Sequence, residues 1–154
     1  MERPNGGPDP AHCLISGNFT VCLTETALEI VVRPTEVDVN GHVNYAKYVD
    51  CMEWGREEWY ERQGLPDARL FALGAVTVTA NLNLNFRQEC RQGEFLVITT
   101  RPERLGRTSF ALHQEIRKRD DTLAAAGLIT AVTIAPTTRK SHPVPDELAA
   151  TCRS

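Results

Sequence analysis

The pattern of apolar and polar positions first predicts one strand and one long helix. Residues 27–33 are mostly apolar and β-branched, and Pro34 closes this run because proline cannot donate to a strand ladder. From Asn44 onward the apolar positions recur at three- and four-residue steps, which predicts a helix of about five turns that ends near Gln63, before Gly64. The apolar positions of this helix are Tyr45, Tyr48, Val49, Met52 and Trp59.

Beyond the helix the pattern changes to that of β-structure. Apolar and polar residues alternate over residues 76–87, which predicts a long strand with one apolar face. Three further strand-like runs follow at 95–102, 108–118 and 123–134. A single helix with so wide an apolar stripe needs a curved sheet around it. The predicted fold class is therefore α+β, with one long central helix wrapped by five or six antiparallel strands.

Length and composition indicate one domain with short extensions. A chain of 154 residues without an internal break in composition is long enough to bury a core of its own. Residues 1–17 are rich in Pro and Gly and hold no apolar run long enough for a signal peptide, so they are predicted to form a flexible arm. The domain is predicted over 18–148, and residues 149–154 are expected to be a C-terminal tail.

Charge and cysteine content narrow the classes of partner. A net charge of −3 argues against nucleic acid, and no segment approaches the roughly 18 apolar residues of a membrane span. The cysteines are odd in number, scattered and without a CxxC pair, which fits neither a disulfide framework nor a zinc site. A reducing cytoplasm is the expected location. The cysteines are Cys13, Cys22, Cys51, Cys90 and Cys152.

The most informative segment is 38–48, which reads D-V-N-G-H-V-N-Y-A-K-Y. Asp38, Asn40 and His42 place a carboxylate, a carboxamide and an imidazole at two-residue spacing. Asn44 follows where the helix is predicted to begin, as a helix cap or a substrate contact. Groups of these types can activate water and orient a substrate.

This segment resembles the signature of hotdog-fold thioesterases. It is similar to the 4-hydroxybenzoyl-CoA thioesterase branch and, through D-x-N-x-H-V-N, more similar to plant and bacterial acyl-ACP thioesterases. A second segment, Phe86-Arg87-Gln88-Glu89-Cys90, is similar to their aromatic-Arg-x-Glu-Cys motif, and residues 106–110 resemble a common hotdog strand opening.

The resemblance implies a hotdog domain that hydrolyses an acyl thioester to a free acid and a thiol. The expected substrate is an acyl chain on acyl carrier protein first and acyl-CoA second, as in chain release during bacterial fatty acid or polyketide biosynthesis. The chemistry needs no metal or redox cofactor. Plant relatives carry two tandem hotdog copies, so this shorter chain is expected to form a homodimer or a dimer of dimers, with no nucleic acid or membrane partner.

Each polar residue of the motifs has an expected role. Asp38 is the catalytic carboxylate, as a nucleophile or as a general base on water. Asn40 and His42 would orient the thioester or the water, and Glu89 is a second catalytic carboxylate. Arg107 is expected to contact the substrate: with Arg101, Arg104 and Lys140 it could meet the acidic surface of a carrier protein or the phosphates of CoA. The alternative is that these basic residues only form a solvated rim.

The start of the predicted helix also suggests where the negative charge of the transition state would lie. Free N–H groups of Val43, Asn44 and Tyr45 would point out of the helix N-terminus, where the helix dipole favours an anion. Gly41, which has no Cβ, would let the acyl carbonyl approach them. These four residues are the expected substrate contacts of the loop.

Several alternatives remain open at this point. Asp38 could be a turn residue that only bonds its own backbone. Cys90, with His42 and Asn40, could form a papain-like site, although strand parity places Cys90 on the apolar face and Glu89 on the polar face. A hotdog dehydratase or isomerase, or a non-catalytic acyl-binding protein, would carry a similar site.

Overall fold

The protein forms one antiparallel five-stranded sheet packed against a long helix, described by a computed structural model over residues 24–153. The predicted arm at 1–17 lies outside the described residues. The strands are β1 Thr26–Val31, β2 Val76–Phe86, β3 Phe95–Leu105, β4 Ser109–Lys118 and β5 Leu123–Ile134. The helices are α1 Tyr45–Arg62, α2 Asp67–Ala72 and α3 Asp146–Arg153, with a 3-10 turn at Pro34–Glu36.

The sheet order places the first two strands of the chain at opposite edges. The order is β1-β3-β4-β5-β2, and every neighbouring pair is antiparallel. α1 follows β1 along the chain and packs on one face of the sheet, where the largest buried side chains lie. The predicted α+β class, with one long helix and five antiparallel strands, is confirmed.

α1 begins and packs as its sequence pattern predicts. Asn44 is its N-cap, and the Asn44 Oδ1 accepts a hydrogen bond from the N–H of Ala46 at 2.9 Å. Met52 and Trp59 are fully buried on the face toward the sheet, and Trp59 Nε1 donates to the Thr24 carbonyl at 2.6 Å. This apolar face sets the position of the helix N-terminus relative to the sheet.

A buried polar cluster holds the middle of α1 against the sheet. Gln114 on β4 is fully buried, and its Nε2 donates to the Met52 carbonyl and to Thr100 Oγ1, both at 2.8 Å. Its Oε1 accepts from Arg56 Nη1 at 3.1 Å. Gly55 lies beside the cluster, where a Cβ would lie 2.5 Å from Ile98 Cγ2. The close approach of helix and sheet therefore requires glycine here.

β2 differs from the strand predicted at 76–87. A β-bulge directly after Thr79 shifts its register against β5. Before the bulge, Thr77 and Thr79 line a cavity together with α1, whereas after it Leu84 packs on the core and Phe86 meets an α1 tyrosine ring edge-on. The prediction of one continuous apolar face was wrong, because an extra residue in a strand reverses its side-chain alternation.

The C-terminal segment also differs from the prediction. Residues 149–154 were expected to be a tail, but α3 runs through this region to Arg153. Leu148 and Ala149 are buried, and Cys152 packs against the same core cluster. The short helix is stable in this place because it covers one end of the core, which its brief sequence pattern alone did not reveal.

Replacing Gly55 by Ala should destabilise the protein. Alanine raises intrinsic helix propensity by about 1 kcal/mol, but overpacking a close contact typically costs about 1–3 kcal/mol. The midpoint of urea unfolding is therefore expected to fall. Glu61→Ala, at an exposed position of α1, should change stability by no more than about 0.5 kcal/mol. A Gly55→Ala variant more stable than the wild type would contradict the close contact.

Candidate active site

The loop between β1 and α1 is a tight turn closed by backbone hydrogen bonds. Val37 and Val43 form an isolated antiparallel bridge. Between them, the Asp38 N–H donates to the His42 carbonyl at 3.0 Å, and the Gly41 N–H donates to the Asp38 carbonyl at 3.0 Å. Gly41 has φ +83°, which explains why glycine occupies this position. The turn brings the Asp38 and His42 side chains close together.

Two hydrogen bonds attach this loop to the rest of the fold. The Val43 N–H donates to the Cys90 carbonyl at 2.8 Å, and the Asn44 N–H donates to the Glu36 carbonyl at 3.0 Å. These two amides are therefore not free to bind an oxyanion, contrary to the expectation. The Tyr45 N–H, at the first position of α1, has no hydrogen-bond acceptor within residues 24–153. The expected donors are thus reduced to Tyr45.

The Asp38 carboxylate is oriented by its own loop. Oδ1 accepts a hydrogen bond from the Asn40 N–H at 2.8 Å, and Oδ2 lies 4.0 Å from His42 Nδ1. The Asp38 side chain is 21% exposed. The turn interaction that was considered as an alternative to catalysis is present. It is compatible with catalysis because it occupies one oxygen only.

Asn40 contacts Asp38 through its backbone N–H. Its side chain is exposed and does not line the cavity described below, and its predicted role in orienting a substrate stays a prediction. Gly41 and Asn44 also stand in the loop without lining the cavity. Their positions support the turn and the helix cap.

A cavity of about 340 Å³ lies in front of the loop. One wall consists of Asp38, His42, Val43 and Tyr45, and the other comes from the segment after β2 that carries Glu89. The two sequence motifs, some fifty residues apart, therefore face each other across one cavity. The remaining lining residues are Tyr48, Phe86, Arg87 and Gln88.

Sequence reasoning missed these four remaining residues as individual site positions. The signal was available, because Phe86, Arg87 and Gln88 belong to the second motif. Tyr48 is one of the apolar positions of the predicted helix, and it is buried, with its hydroxyl donating to the Gln88 carbonyl at 3.4 Å. Its burial raises its pKa well above the ordinary value, so it is a hydrogen-bonding group and not a base.

Glu89 is held as a carboxylate by a neighbouring arginine. Glu89 Oε1 accepts from Arg91 Nη2 at 2.6 Å and from Arg91 Nε at 3.0 Å. This hydrogen-bonded pair lowers the pKa of Glu89, and His42 contributes in the same direction. Glu89 is exposed and remains ionised at neutral pH, which suits a role in holding water more than a role as an acid.

Cys90 is buried and unsuited to be a nucleophile. It is completely inaccessible, and burial raises the pKa of its thiol, so the reactive thiolate is disfavoured. The predicted orientation of Cys90 into the core and of Glu89 outward is confirmed. The alternation of side chains along a strand is not the reason, because β2 ends at Phe86 and both residues lie beyond it. Cys90 packs with the core, and its carbonyl anchors the loop.

Arg107 is not brought to this cavity. It lines a separate open depression of about 610 Å³ between the β3–β4 turn and α3, together with Arg153 and Asp146. Val144 is tied to this turn, since its N–H donates to the Arg107 carbonyl at 2.8 Å. Arg107 and Asp38 therefore line two separate cavities.

The chain matches known thioesterases in sequence and in structure. The model of the thioesterase-like superfamily matches residues 32–151. The long-chain acyl-CoA thioesterase FadM of Escherichia coli (strain K12) is 32% identical over 125 residues, which cover 78% of this chain and 91% of FadM. The protein belongs to the thioesterase-like superfamily.

Solved structures share the fold at lower sequence identity. Slr0204, a 1,4-dihydroxy-2-naphthoyl-CoA thioesterase from Synechocystis, superposes with a TM-score of 0.77 at 18% identity, covering 84% of this chain and 96% of its own. SAV2348 from Staphylococcus aureus, solved in complex with CoA, has a TM-score of 0.77 at 19% identity, covering 82% and 80%. The predicted hotdog fold and the class of thioester hydrolase are confirmed.

Replacing Arg91 by Gln should raise the pKa of Glu89 toward its ordinary value, because the hydrogen-bonded guanidinium that stabilises the carboxylate is lost. The side-chain carboxyl shift of Glu89, followed by NMR against pH, measures this change. Arg117→Gln removes a comparable ion pair with Glu115 elsewhere and should leave Glu89 unchanged. An unaltered Glu89 titration in Arg91→Gln would refute the pairing.

Proposed function

We propose that the protein hydrolyses acyl-CoA thioesters to a free acid and CoA, with Asp38 as the catalytic carboxylate. The observation that carries this proposal is the cavity that joins Asp38 and His42 to Glu89 at the start of α1. The relative FadM acts on acyl-CoA, which favours CoA over the carrier protein that the sequence motifs put first. An acyl carrier protein remains the second candidate.

The proposed chemistry assigns one task to each group. The free Oδ2 of Asp38 removes a proton from water, or attacks the acyl carbon itself, while Asn40 holds the other oxygen. The carbonyl oxygen becomes negative and accepts the Tyr45 N–H at the positive end of α1. The C–S bond then breaks, and the departing thiolate takes up the proton that Asp38 removed from water. If Asp38 has attacked the acyl carbon instead, the thiolate takes up a proton from solvent, and water then hydrolyses the Asp38 anhydride to the free acid. Glu89 holds the attacking water, and His42 stabilises the charge on Asp38.

The proposal includes a homodimer formed through β2. This strand of eleven residues lies at the sheet edge, and long exposed edges readily pair with another chain. Apolar side chains remain uncovered along it, among them Phe86 at 51% exposed. Val39 at the tip of the catalytic loop is fully exposed. A second subunit would cover these groups and exclude water from the cavity, which strengthens an oxyanion interaction.

Arg107 is proposed to contact the anionic part of the substrate. Its depression also holds Arg153, so two guanidinium groups are opposed by the single carboxylate of Asp146. Phosphate groups of CoA are suited to arginine because a guanidinium can donate two parallel hydrogen bonds. In the proposed dimer, Arg107 contacts a substrate that is bound either in its own subunit or in the partner subunit.

A reducing cytoplasm is proposed as the compartment. Cys51 and Cys90 form no disulfide, although both lie in one core cluster. The burial of Cys51 raises its pKa to about 12, which keeps it protonated and slow to oxidise.

Asp38→Asn should abolish hydrolysis, because an amide can neither attack the acyl carbon nor remove a proton from water. Free thiol released from a panel of acyl-CoA and acyl-carrier-protein substrates, followed with a chromogenic disulfide, measures turnover. A loss of at least about a thousandfold in kcat is expected, in the range seen when a central catalytic group is removed. Cys90→Ala should keep most of the activity.

The outcomes of this assay separate the candidate functions. Activity that survives in Asp38→Asn and disappears in a folded Cys90→Ala variant would reverse the assignment. No thiol release from any substrate would refute the thioesterase proposal and leave a dehydratase, an isomerase or an acyl-binding protein. Thiol release from the acyl-carrier-protein substrates alone would show that the acyl group is delivered by acyl carrier protein and not by CoA.

Leu82→Lys on β2 should weaken self-association, since a charged side chain on an edge strand opposes pairing. Sedimentation velocity is expected to show a dimer for the wild type and a larger monomer fraction for the variant, with activity falling in parallel. Thr99→Lys lies on the interior strand β3 and should leave the dimer intact. A monomeric wild type that is fully active would refute the shared site.

A further inference from the structure

The start of α1 leaves the oxyanion of the proposed mechanism with a single backbone donor. The N–H groups of Val43 and Asn44 are bonded to carbonyls elsewhere, and the Ala46 N–H donates to Asn44 Oδ1 at 2.9 Å. Within residues 24–153, the Tyr45 N–H alone in this turn has no acceptor. Sites that stabilise such an anion combine oriented donors, each worth about a hundredfold to a thousandfold in kcat. A second donor should therefore come from the opposite wall of the cavity.

On that wall, the backbone of Gln88 is fixed from both sides. Its N–H donates to the Ala124 carbonyl at 3.1 Å, and its carbonyl accepts from the Tyr48 hydroxyl at 3.4 Å. The Ala124 carbonyl also accepts from the Arg87 N–H at 2.8 Å, so two residues stand opposite one, as in a β-bulge. Neighbours in a regular strand alternate between faces, whereas Phe86, Arg87 and Gln88 all line the same cavity.

The bond from Tyr48 holds Gln88 beside the first turn of α1. Tyr48 stands three positions after Tyr45, on the same side of the helix, and about 4.5 Å further along its axis. Helical side chains lean toward the N-terminus, so the Tyr48 ring extends back toward the level of Tyr45. Tyr45 and Gln88 both line the cavity. An oxygen bound between the two walls can accept from both residues.

The Gln88 side chain is available as this donor. Within the part of the chain that the structure describes, its amide has no hydrogen-bond partner. A carboxamide offers two N–H groups and carries no charge. The guanidinium of Arg87 is the rival donor in the cavity, but a cation would also stabilise the carboxylate of Asp38 and make it a weaker base. A neutral amide stabilises the oxyanion without this cost.

We propose, resting on the thioesterase function proposed above, that Gln88 is a further catalytic residue, whose side-chain N–H donates to the oxyanion together with the Tyr45 N–H. The carbonyl oxygen then lies between the two walls and accepts one hydrogen bond from each. Both bonds strengthen as the oxygen becomes negative, so Gln88 acts mainly on kcat. The bond from Tyr48 fixes the backbone from which the amide projects.

Gln88→Met tests this inference, because it removes the donor at similar side-chain length. Gln88 is exposed, so the variant should fold. With the best acyl-CoA substrate of the panel, kcat is expected to fall about a hundredfold. The matching dithioester, in which a weakly accepting sulfur replaces the carbonyl oxygen, should lose only about tenfold, measured by the loss of dithioester absorbance. The ratio of kcat/KM between the oxygen and sulfur substrates should thus fall about tenfold.

Two control variants identify the amide as the cause. Arg87→Met removes the rival donor and should leave the oxygen-to-sulfur ratio at its wild-type value. Gln63→Met makes the same substitution at the far end of α1, outside the cavity, and should leave kcat unchanged.

The remaining outcomes would overturn the inference. Equal losses of Gln88→Met with both substrates would indicate a structural role, and a ratio that changes only in Arg87→Met would make Arg87 the donor. Gln88→Met with wild-type kcat would exclude any catalytic role. A wild-type protein that hydrolyses neither substrate would refute the thioesterase function itself, and this inference with it.

Discussion

The site depends on one junction, in which the loop before α1 is bonded to the segment after β2. The hydrogen bond from the Val43 N–H to the Cys90 carbonyl joins the two motifs directly. Cys90 is buried without any accessible surface, and Val43 is buried beside it, so water cannot compete for this bond. The loop that carries Asp38 and the segment that carries Glu89 are consequently held on opposite sides of one cavity.

α1 connects this junction to the rest of the fold. Its N-terminus provides the Tyr45 N–H, its middle is held by the Gln114 cluster, and its far half borders the cavity lined by Thr77 and Thr79. Gly55 allows the helix to approach the sheet closely enough for these contacts. A shift of the helix would therefore disturb both cavities together, because a closely packed interior is hard to compress and passes a displacement on to the neighbouring residues.

The parts of the fold that could be predicted are those with long, regular patterns. The helix stripe predicted α1 and its cap at Asn44, and the alternation predicted the long strands. The bulge after Thr79 could not be predicted, since a strand with an extra residue has the same sequence pattern as one without. The short helices α2 and α3 are stabilised by tertiary packing more than by their own propensity.

The sequence by itself determined the family, the reaction class and the two segments that line the candidate site, because spaced polar residues at a strand-to-helix turn are local features. Only the tertiary structure decided how the residues divide their tasks. It assigned the amides of Val43 and Asn44 to anchoring, oriented Asp38 through the Asn40 backbone and separated Arg107 from the cavity. The reason is physical: a backbone N–H is identical in every residue, and only long-range contacts decide which acceptor it meets.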